Sequence, residues 1–214
     1  MSRRKNVRVA IIDFAGGNLQ SVTQAVRSVG GEPVLVRTPE QLLGADRAIL
    51  PGVGAMARCM QALRRNGLDD AIVEFLRSRP LLGVCIGLQL LAQGSAENGG
   101  TTGLGAIPGQ VIELPEGGLT SDGRRNKVPH MGWTRIQTYS NPCWKSIPDG
   151  SYFYFVHSYY LPAEERLDLA AVAAHNAQIS AAVSGEHYIA TQFHPEKSGT
   201  YGLQFYQNFL EWSP

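Results

Sequence analysis

The chain has 214 residues, 43% of them hydrophobic, with 19 Lys+Arg against 18 Asp+Glu for a net charge of +1 at pH 7. That is enough apolar material for a real core, one domain over 1–214 is the reading by length, and the balanced charge excludes nucleic-acid binding through a basic surface. No apolar run approaches the ~20 residues of a membrane-spanning helix.

Arg3, Arg4 and Lys5 open the chain, but Val7–Ile12 behind them is too short for the apolar stretch of a signal sequence. Three cysteines without tight spacing suit a reducing compartment and present no zinc-ligand pattern. A cytoplasmic chain with no metal and no cofactor is expected. Val7–Asp13 is a continuous apolar run closed by a polar residue, as in a buried parallel strand. Phe14-Ala15-Gly16-Gly17-Asn18 forms the turn, with Asn18 as cap of a helix Leu19–Val29 that Gly30-Gly31 stops. No full G-x-G-x-x-G is present, which removes a dinucleotide fingerprint.

Pro33–Val36 reads as a second strand and Thr38–Leu43 as a helical turn or two. Arg47–Leu50 reads as a third strand, ending at Pro51-Gly52-Val53-Gly54. Ala55–Asn66 and Leu68–Ser78 read as helices parted by Gly67, and a strand ending at Cys85 follows. This alternation argues for a parallel sheet with helices on both faces. Gly94–Gly105 reads as a loop, Val111–Leu114 as a candidate strand, and Pro115–Lys127 as a surface loop. From Trp133 to Phe193 short strands dominate: Trp133–Gln137, Tyr152–Phe155, Leu169–Ala174, Ile179–Val183 and Ile189–Phe193. They read as antiparallel additions to the sheet. Thr200–Trp212 is a closing helix with Tyr201, Phe205, Phe209 and Trp212 on one face. The fold class is α/β, a mostly parallel central sheet flanked by helices with antiparallel strands in the C-terminal half, flavodoxin-like.

The stretch Pro80–Leu91 carries the strongest chemical signal. An apolar run ends at Cys85, and Ile86, Leu90 and Leu91 then follow helical spacing. Gly83 and Gly87 flank the cysteine at two residues on either side, so the strand can turn sharply into the helix, as in a nucleophile elbow with Cys in place of Ser. Such a turn exposes the sulfur beside a helix N-terminus, whose partial positive charge favours a thiolate. The competing reading is a small hydrophobe at the end of a buried strand. A thiolate nucleophile needs a base, and the base an orienting group. Among five histidines, His194 follows a strand and precedes Pro195-Glu196. In an extended segment residues two apart share a face, so Glu196 can reach the far nitrogen of His194. An ordinary His-Pro-Glu surface turn is the alternative. An oxyanion would need backbone N–H donors. Ile86 supplies one, and the Gly52-Val53-Gly54 segment can approach a ligand closely enough to supply another.

Gly83-Val84-Cys85-Ile86-Gly87-Leu88-Gln89 together with Gln192-Phe193-His194-Pro195-Glu196 resembles the class I, triad-type glutamine amidotransferases. Leu50–Gly54, Val128-Pro129-His130-Met131-Gly132-Trp133, Tyr154-Phe155-Val156-His157-Ser158-Tyr159 and His194–Gly199 narrow the resemblance to the glutaminase subunits of imidazole glycerol phosphate synthase, over nearly the whole chain. The resemblance implies that Cys85 attacks the carboxamide of L-glutamine to give a glutamyl thioester, that His194 moves the proton, and that Glu196 orients His194. It implies oxyanion donors at Ile86 and in Gly52-Val53-Gly54, and substrate binding by Gln89, Glu97, Ser158 and Tyr159. For Gln89 the plain alternative is an exposed helix residue, and for Glu97 a solvated loop charge. It further implies ammonia transfer to a (β/α)₈-barrel cyclase in histidine biosynthesis. With no barrel in 214 residues, that cyclase is a separate chain in a heterodimer, and its binding poises the oxyanion segment.

Thr134 stands where Asn is commoner, and the Phe14 turn departs from the usual Tyr-Gly-x-Gly-Asn. Cys59 receives no role and Cys143 reads as a surface thiol, while His130 and His157 match positions of the family whose roles are structural or interfacial. The competing functions are a paralogous glutaminase feeding a sugar-modifying enzyme, a non-catalytic regulatory module of the same fold, and a cysteine peptidase or γ-glutamyl hydrolase.

Overall fold

The computed structural model describes residues 7–14, 19–118, 127–164 and 166–214. The N-terminal half alternates strands and helices: β1 (Arg8–Ile12), α1 (Leu19–Ser28), β2 (Glu32–Val36), α2 (Pro39–Leu43), β3 (Arg47–Leu50), α3 (Met56–Arg65), α4 (Leu68–Phe75), β4 (Leu81–Val84) and α5 (Ile86–Leu91). Then come β5 (Ala92–Ser95), β6 (Thr101–Thr102), β7 (Ile107–Glu113), β8 (His130–Thr138), β9 (Tyr152–His157), β10 (Tyr159–Tyr160), β11 (Leu169–Ala174), β12 (Gln178–Ser184), β13 (Tyr188–Thr191) and α6 (Gly199–Glu211). The expected Asn18 cap, its turn, and most of the 115–127 loop lie outside the described residues.

Local chemistry explains the boundaries. β1 is apolar on both faces and all but its first residue is buried, as a strand between two helix layers must be. α1 stops where Gly30 takes a φ of +85° and the Gly30 and Gly31 N–H groups return to the Arg27 and Val26 carbonyls. α2 begins at Thr38, whose side chain accepts from the Gln41 N–H, with Pro39 in the first turn.

A nine-stranded sheet has the order β2-β1-β3-β4-β13-β12-β11-β8-β9. From β2 to β13 neighbours run parallel; from β13 to β9 each pair is antiparallel. Three expectations change here. β13 joins the parallel part, pairing Thr191 with Val84, because it returns beside the nucleophile strand rather than at the sheet edge. Residues 94–105 are not a plain loop: β5 and β6 pair with each other, and β5 with β7, in a second sheet of order β10-β7-β5-β6. β8 starts at His130 because its ladder with β9 runs back to a His130–His157 pair.

One buried apolar cluster runs from β1 to α6. On α6 the buried stripe is Gly202, Phe205, Tyr206 and Phe209, at helical spacing. Of the expected face Phe205, Phe209 and Trp212 are buried, and Tyr201 alone departs from it at 38% exposed. Cys143 is not a surface thiol. It is fully buried in a 3-10 turn (Pro142–Trp144) under α6, where the Asn208 amide donates to the Cys143 and Lys145 carbonyls at 2.8 and 2.7 Å. No helix among the described residues is long and apolar enough to cross a membrane.

Candidate active site

The sheet order carries the site. β4 lies between β3 and β13, all three parallel, so the segments leaving their carboxyl ends emerge side by side. Those segments are Gly52-Val53-Gly54, Cys85 and His194.

Cys85 sits at φ 54°, ψ −104°, a conformation that non-glycine residues avoid. Its N–H still bonds the Thr191 carbonyl at 2.7 Å, so β4 is held against β13 up to the turn. The glycines are sterically obligatory. A Cβ on Gly87 would stand 1.9 Å from the Leu50 carbonyl oxygen, and one on Gly83 would stand 3.0 Å from both Gly87 and Leu91. The first turn of α5 is therefore pressed onto β3, with Cys85 as the strained corner between them. The Cys85 sulfur lies 3.9 Å from the Val156 carbonyl and 3.8 Å from the Gln192 amide nitrogen.

His194 is fixed from several sides. Its N–H donates to the Tyr154 carbonyl at 2.9 Å, and its carbonyl accepts the Ser198 hydroxyl at 2.6 Å. That hydroxyl also accepts the Tyr154 N–H at 3.0 Å. His194 Nδ1 and Glu196 Oε1 are 2.8 Å apart, each side chain only 3% exposed. The reason for this contact differs from the expected one. Pro195–Lys197 is a 3-10 turn with His194 as its extended cap, so the ion pair spans a tight turn rather than one face of a strand. Burial opposes the imidazolium, yet interactions with Cys85 and Glu196 together raise His194 to about 10. His194 Nε2 bonds no other group; its interaction partner is Cys85.

Behind Glu196 stands Tyr206 of α6, which the sequence reading did not single out. Its hydroxyl interacts with the Glu196 carboxylate, and both this hydroxyl and Glu196 Oε2 are buried without another partner. Burial and then the Glu196 charge hold the Tyr206 hydroxyl well above the ordinary range.

A pocket of ≈ 300 Å³ opens at the sulfur. Cys85, His194, Ile86, Val53 and Gly54 meet there with Gln89, Glu97, Ser158 and Tyr159. Gly52 and Glu196 instead border an adjoining cleft beside Pro51. The Val53 carbonyl faces the Cys59 thiol at 3.8 Å, and across a trans peptide the Gly54 N–H points the opposite way. Cys59 thus has a place under the glycine segment, with burial pushing its thiol up to about 11.

Gln89 is 2% exposed, not a solvated helix residue. All of α5 is buried, and the Gln89 amide donates to the Tyr159 carbonyl at 2.9 Å and the Gln192 side-chain oxygen at 3.3 Å. Glu97 is not simply a loop charge either. One carboxylate oxygen accepts the Met56 N–H at 2.8 Å, tying the pocket wall to the start of α3.

His157, expected in a structural or interfacial role, lines the same pocket. Its ring is 3.0 Å from His130 across the β8–β9 ladder, and its Nδ1 is 2.9 Å from the Tyr159 carbonyl. Burial, then His157 and His175, lower His130 to about 3. Burial lowers His157 to about 4, against a raising contribution from the Tyr159 carbonyl. A signal for this pair was present: both histidines lie at inward positions of alternating strands.

Residues 10–212 match the family model described as glutamine amidotransferase class-I. The chain is 44% identical over 205 residues to imidazole glycerol phosphate synthase subunit HisH of Dehalococcoides mccartyi (strain CBDB1), covering 95% of this chain and 96% of that protein. It is 44% identical over 206 residues to the HisH subunit of Pseudomonas putida, covering 95% and 97%. Among solved structures, PurLQS from Thermotoga maritima shares the fold at a TM-score of 0.74 and 18% identity, over 97% of this chain and 99% of that one. The chain belongs to the class-I glutamine amidotransferase family, among its imidazole glycerol phosphate synthase HisH subunits.

Proposed function

We propose that the chain is the glutamine-hydrolysing subunit of an imidazole glycerol phosphate synthase of histidine biosynthesis, acting through Cys85, His194 and Glu196. The sulfur attacks the side-chain carboxamide carbon of L-glutamine. His194 delivers its Nε2 proton to the departing ammonia, leaving a glutamyl thioester. The neutral imidazole then takes a proton from water, which attacks the thioester and releases glutamate. Glu196 orients the ring and stabilises its charge. The observation that carries this reading is the convergence of Cys85 and His194 on one pocket, with the His194 ring held from behind by Glu196 at 2.8 Å. The Ile86 N–H and the Gly52-Val53-Gly54 segment receive the oxyanion. Glu97 meets the substrate amino group, Ser158 and Tyr159 its carboxylate, and Gln89 braces that wall.

Ammonia passes to a separate barrel cyclase subunit. An exposed apolar face suits such a partner: Met131 and Trp133 on β8, Tyr152 on β9 and Tyr201 on α6 are 63%, 55%, 57% and 38% exposed. Trp133, Tyr152 and Tyr201 border one open groove, and Trp133 packs edge-on against Tyr154, whose carbonyl holds His194. Large exposed aromatics of this kind mark interaction surfaces. The test is glutamate release from glutamine by the chain alone, then with a candidate barrel cyclase and its ribonucleotide substrate. A large rise with both is expected. High activity unchanged by the partner would overturn the coupled reading.

A further inference from the structure

We propose that His157 and His130 are positioning residues for the glutamine pocket: two neutral imidazoles, hydrogen-bonded in one fixed order, that hold the Tyr159 carbonyl and with it the Ser158–Tyr159 wall. This deepens the functional reading above and rests on it.

The order follows from one acceptor. A carbonyl oxygen cannot donate, so the 2.9 Å contact between His157 Nδ1 and the Tyr159 oxygen places a proton on Nδ1. In a neutral ring Nε2 then carries the lone pair. It lies 3.0 Å from His130 Nδ1, which must be the donor. His130 Nε2 is left as an acceptor, and the Thr134 hydroxyl stands 2.6 Å away to donate. Thr134, the position that departs from the usual Asn, supplies the donor that ends the chain.

Neutrality has a physical cause. His130 and His157 are 2% and 6% exposed. The titratable groups acting on them from outside the pair are other imidazoles, His175 on both and His194 on His157, and each lowers them further. His130 is also stacked between Phe155 and His175, at 4.9 and 3.9 Å between ring centres. A second proton on the His157 ring would set its Nε2–H against the Nδ1–H of His130.

The consequence falls on the pocket. The Tyr159 carbonyl receives two donors, His157 Nδ1 and the Gln89 amide, while the Ser158 carbonyl accepts the Leu114 N–H at 2.8 Å. With both carbonyls engaged elsewhere, what the segment offers an anionic ligand is N–H groups and the Ser158 hydroxyl. The substrate carboxylate needs donors of that kind.

Two measurements test the proposal. Long-range ¹⁵N spectra of the histidine-labelled complex at pH 7 should show His130 and His157 as neutral rings protonated on Nδ1. A ring protonated on Nε2, or a charged ring, would overturn the fixed order. In partner-stimulated glutamine hydrolysis, His157→Leu should raise KM for glutamine about tenfold with a smaller change in kcat. His157→Asn, whose amide can reach the same carbonyl, should restore most of the loss. An unchanged KM in His157→Leu, or no rescue by Asn, would overturn the positioning role. The spectra do not depend on activity. Failure of the functional reading would show differently, as absence of glutamine hydrolysis in the wild-type complex.

Discussion

His194 and the His130–His157 pair are both buried, and both reach the same pocket, yet their protons are held in opposite ways. His194 faces the Cys85 sulfur and the Glu196 carboxylate and is raised to about 10. His130 and His157 face a carbonyl, a hydroxyl and other imidazoles, and fall to about 3 and 4. Burial is common to all three and pushes all three the same way. The neighbours decide the outcome, and each outcome suits its place: a proton to give at the sulfur, an unchanging hydrogen-bond order in the wall.

The contrast can be broken at its strongest point. Cys85→Ala removes the sulfur, both neighbour of His194 and nucleophile. Glutamine-dependent turnover in the complex should fall by about 10⁴-fold or more, while turnover driven by free ammonia persists. Loss of both in a folded complex would contradict the division of labour.

Glu196→Gln should be milder, with a loss of about 10²-fold in kcat. It also removes one of the charges that raise His194, so the alkaline limb of the kcat profile should move to lower pH. A limb that stays in place would exclude Glu196 as a source of the raised value.

Tyr206→Phe should lower kcat about tenfold with little change in KM, because the buried hydroxyl acts on Glu196 electrostatically and does not line the pocket. In a Glu196→Ala background the same change should cost little more. Full additivity would mean that Tyr206 acts elsewhere.

The smallest effect is on stability, and the two regions act in different pH windows. The His194 contribution is complete below the ordinary value of 6.5 and is lost as pH rises towards about 10. For His130 and His157 the unfolded chain takes up protons below 6.5 that the folded chain refuses until about 3 and 4 respectively. Stability should therefore fall as pH drops below 6.5, by about 1.4 kcal/mol per pH unit for each imidazole. Urea unfolding from pH 6.5 to 4.5 measures this slope, and His157→Asn should flatten it.

The parallel half of the fold was legible because its strands are unbroken apolar runs bounded by glycine and proline. The Cys85 turn was legible from Gly83 and Gly87, although the contact that requires Gly87, with the Leu50 carbonyl, belongs to a strand far away in sequence. Residues 92–102 gave no strand signal, since β5 and β6 are short, rich in small and polar residues, and defined by their pairing. The exposed alternative for Gln89 is excluded by Tyr159 of the second sheet and by Gln192. Tyr206 was not singled out because its burial beside Phe205 points to packing until its interaction with Glu196 is seen. Cys143 was misplaced because burial of its 3-10 turn depends on Asn208. In each case the missing information was a distant contact, not a local preference.

The placement of β13 also orders events in time. Cys85 leaves the ribosome well before its surroundings do, for Gln192, which reaches its sulfur, lies 107 residues further along the chain. Thr191, whose carbonyl pins the Cys85 N–H, and His194 follow the same delay. Throughout that interval of synthesis the nascent chain carries a cysteine with neither its strained corner nor its base. The proposed centre needs β13 beside β4, so an unfinished chain is expected to release no ammonia.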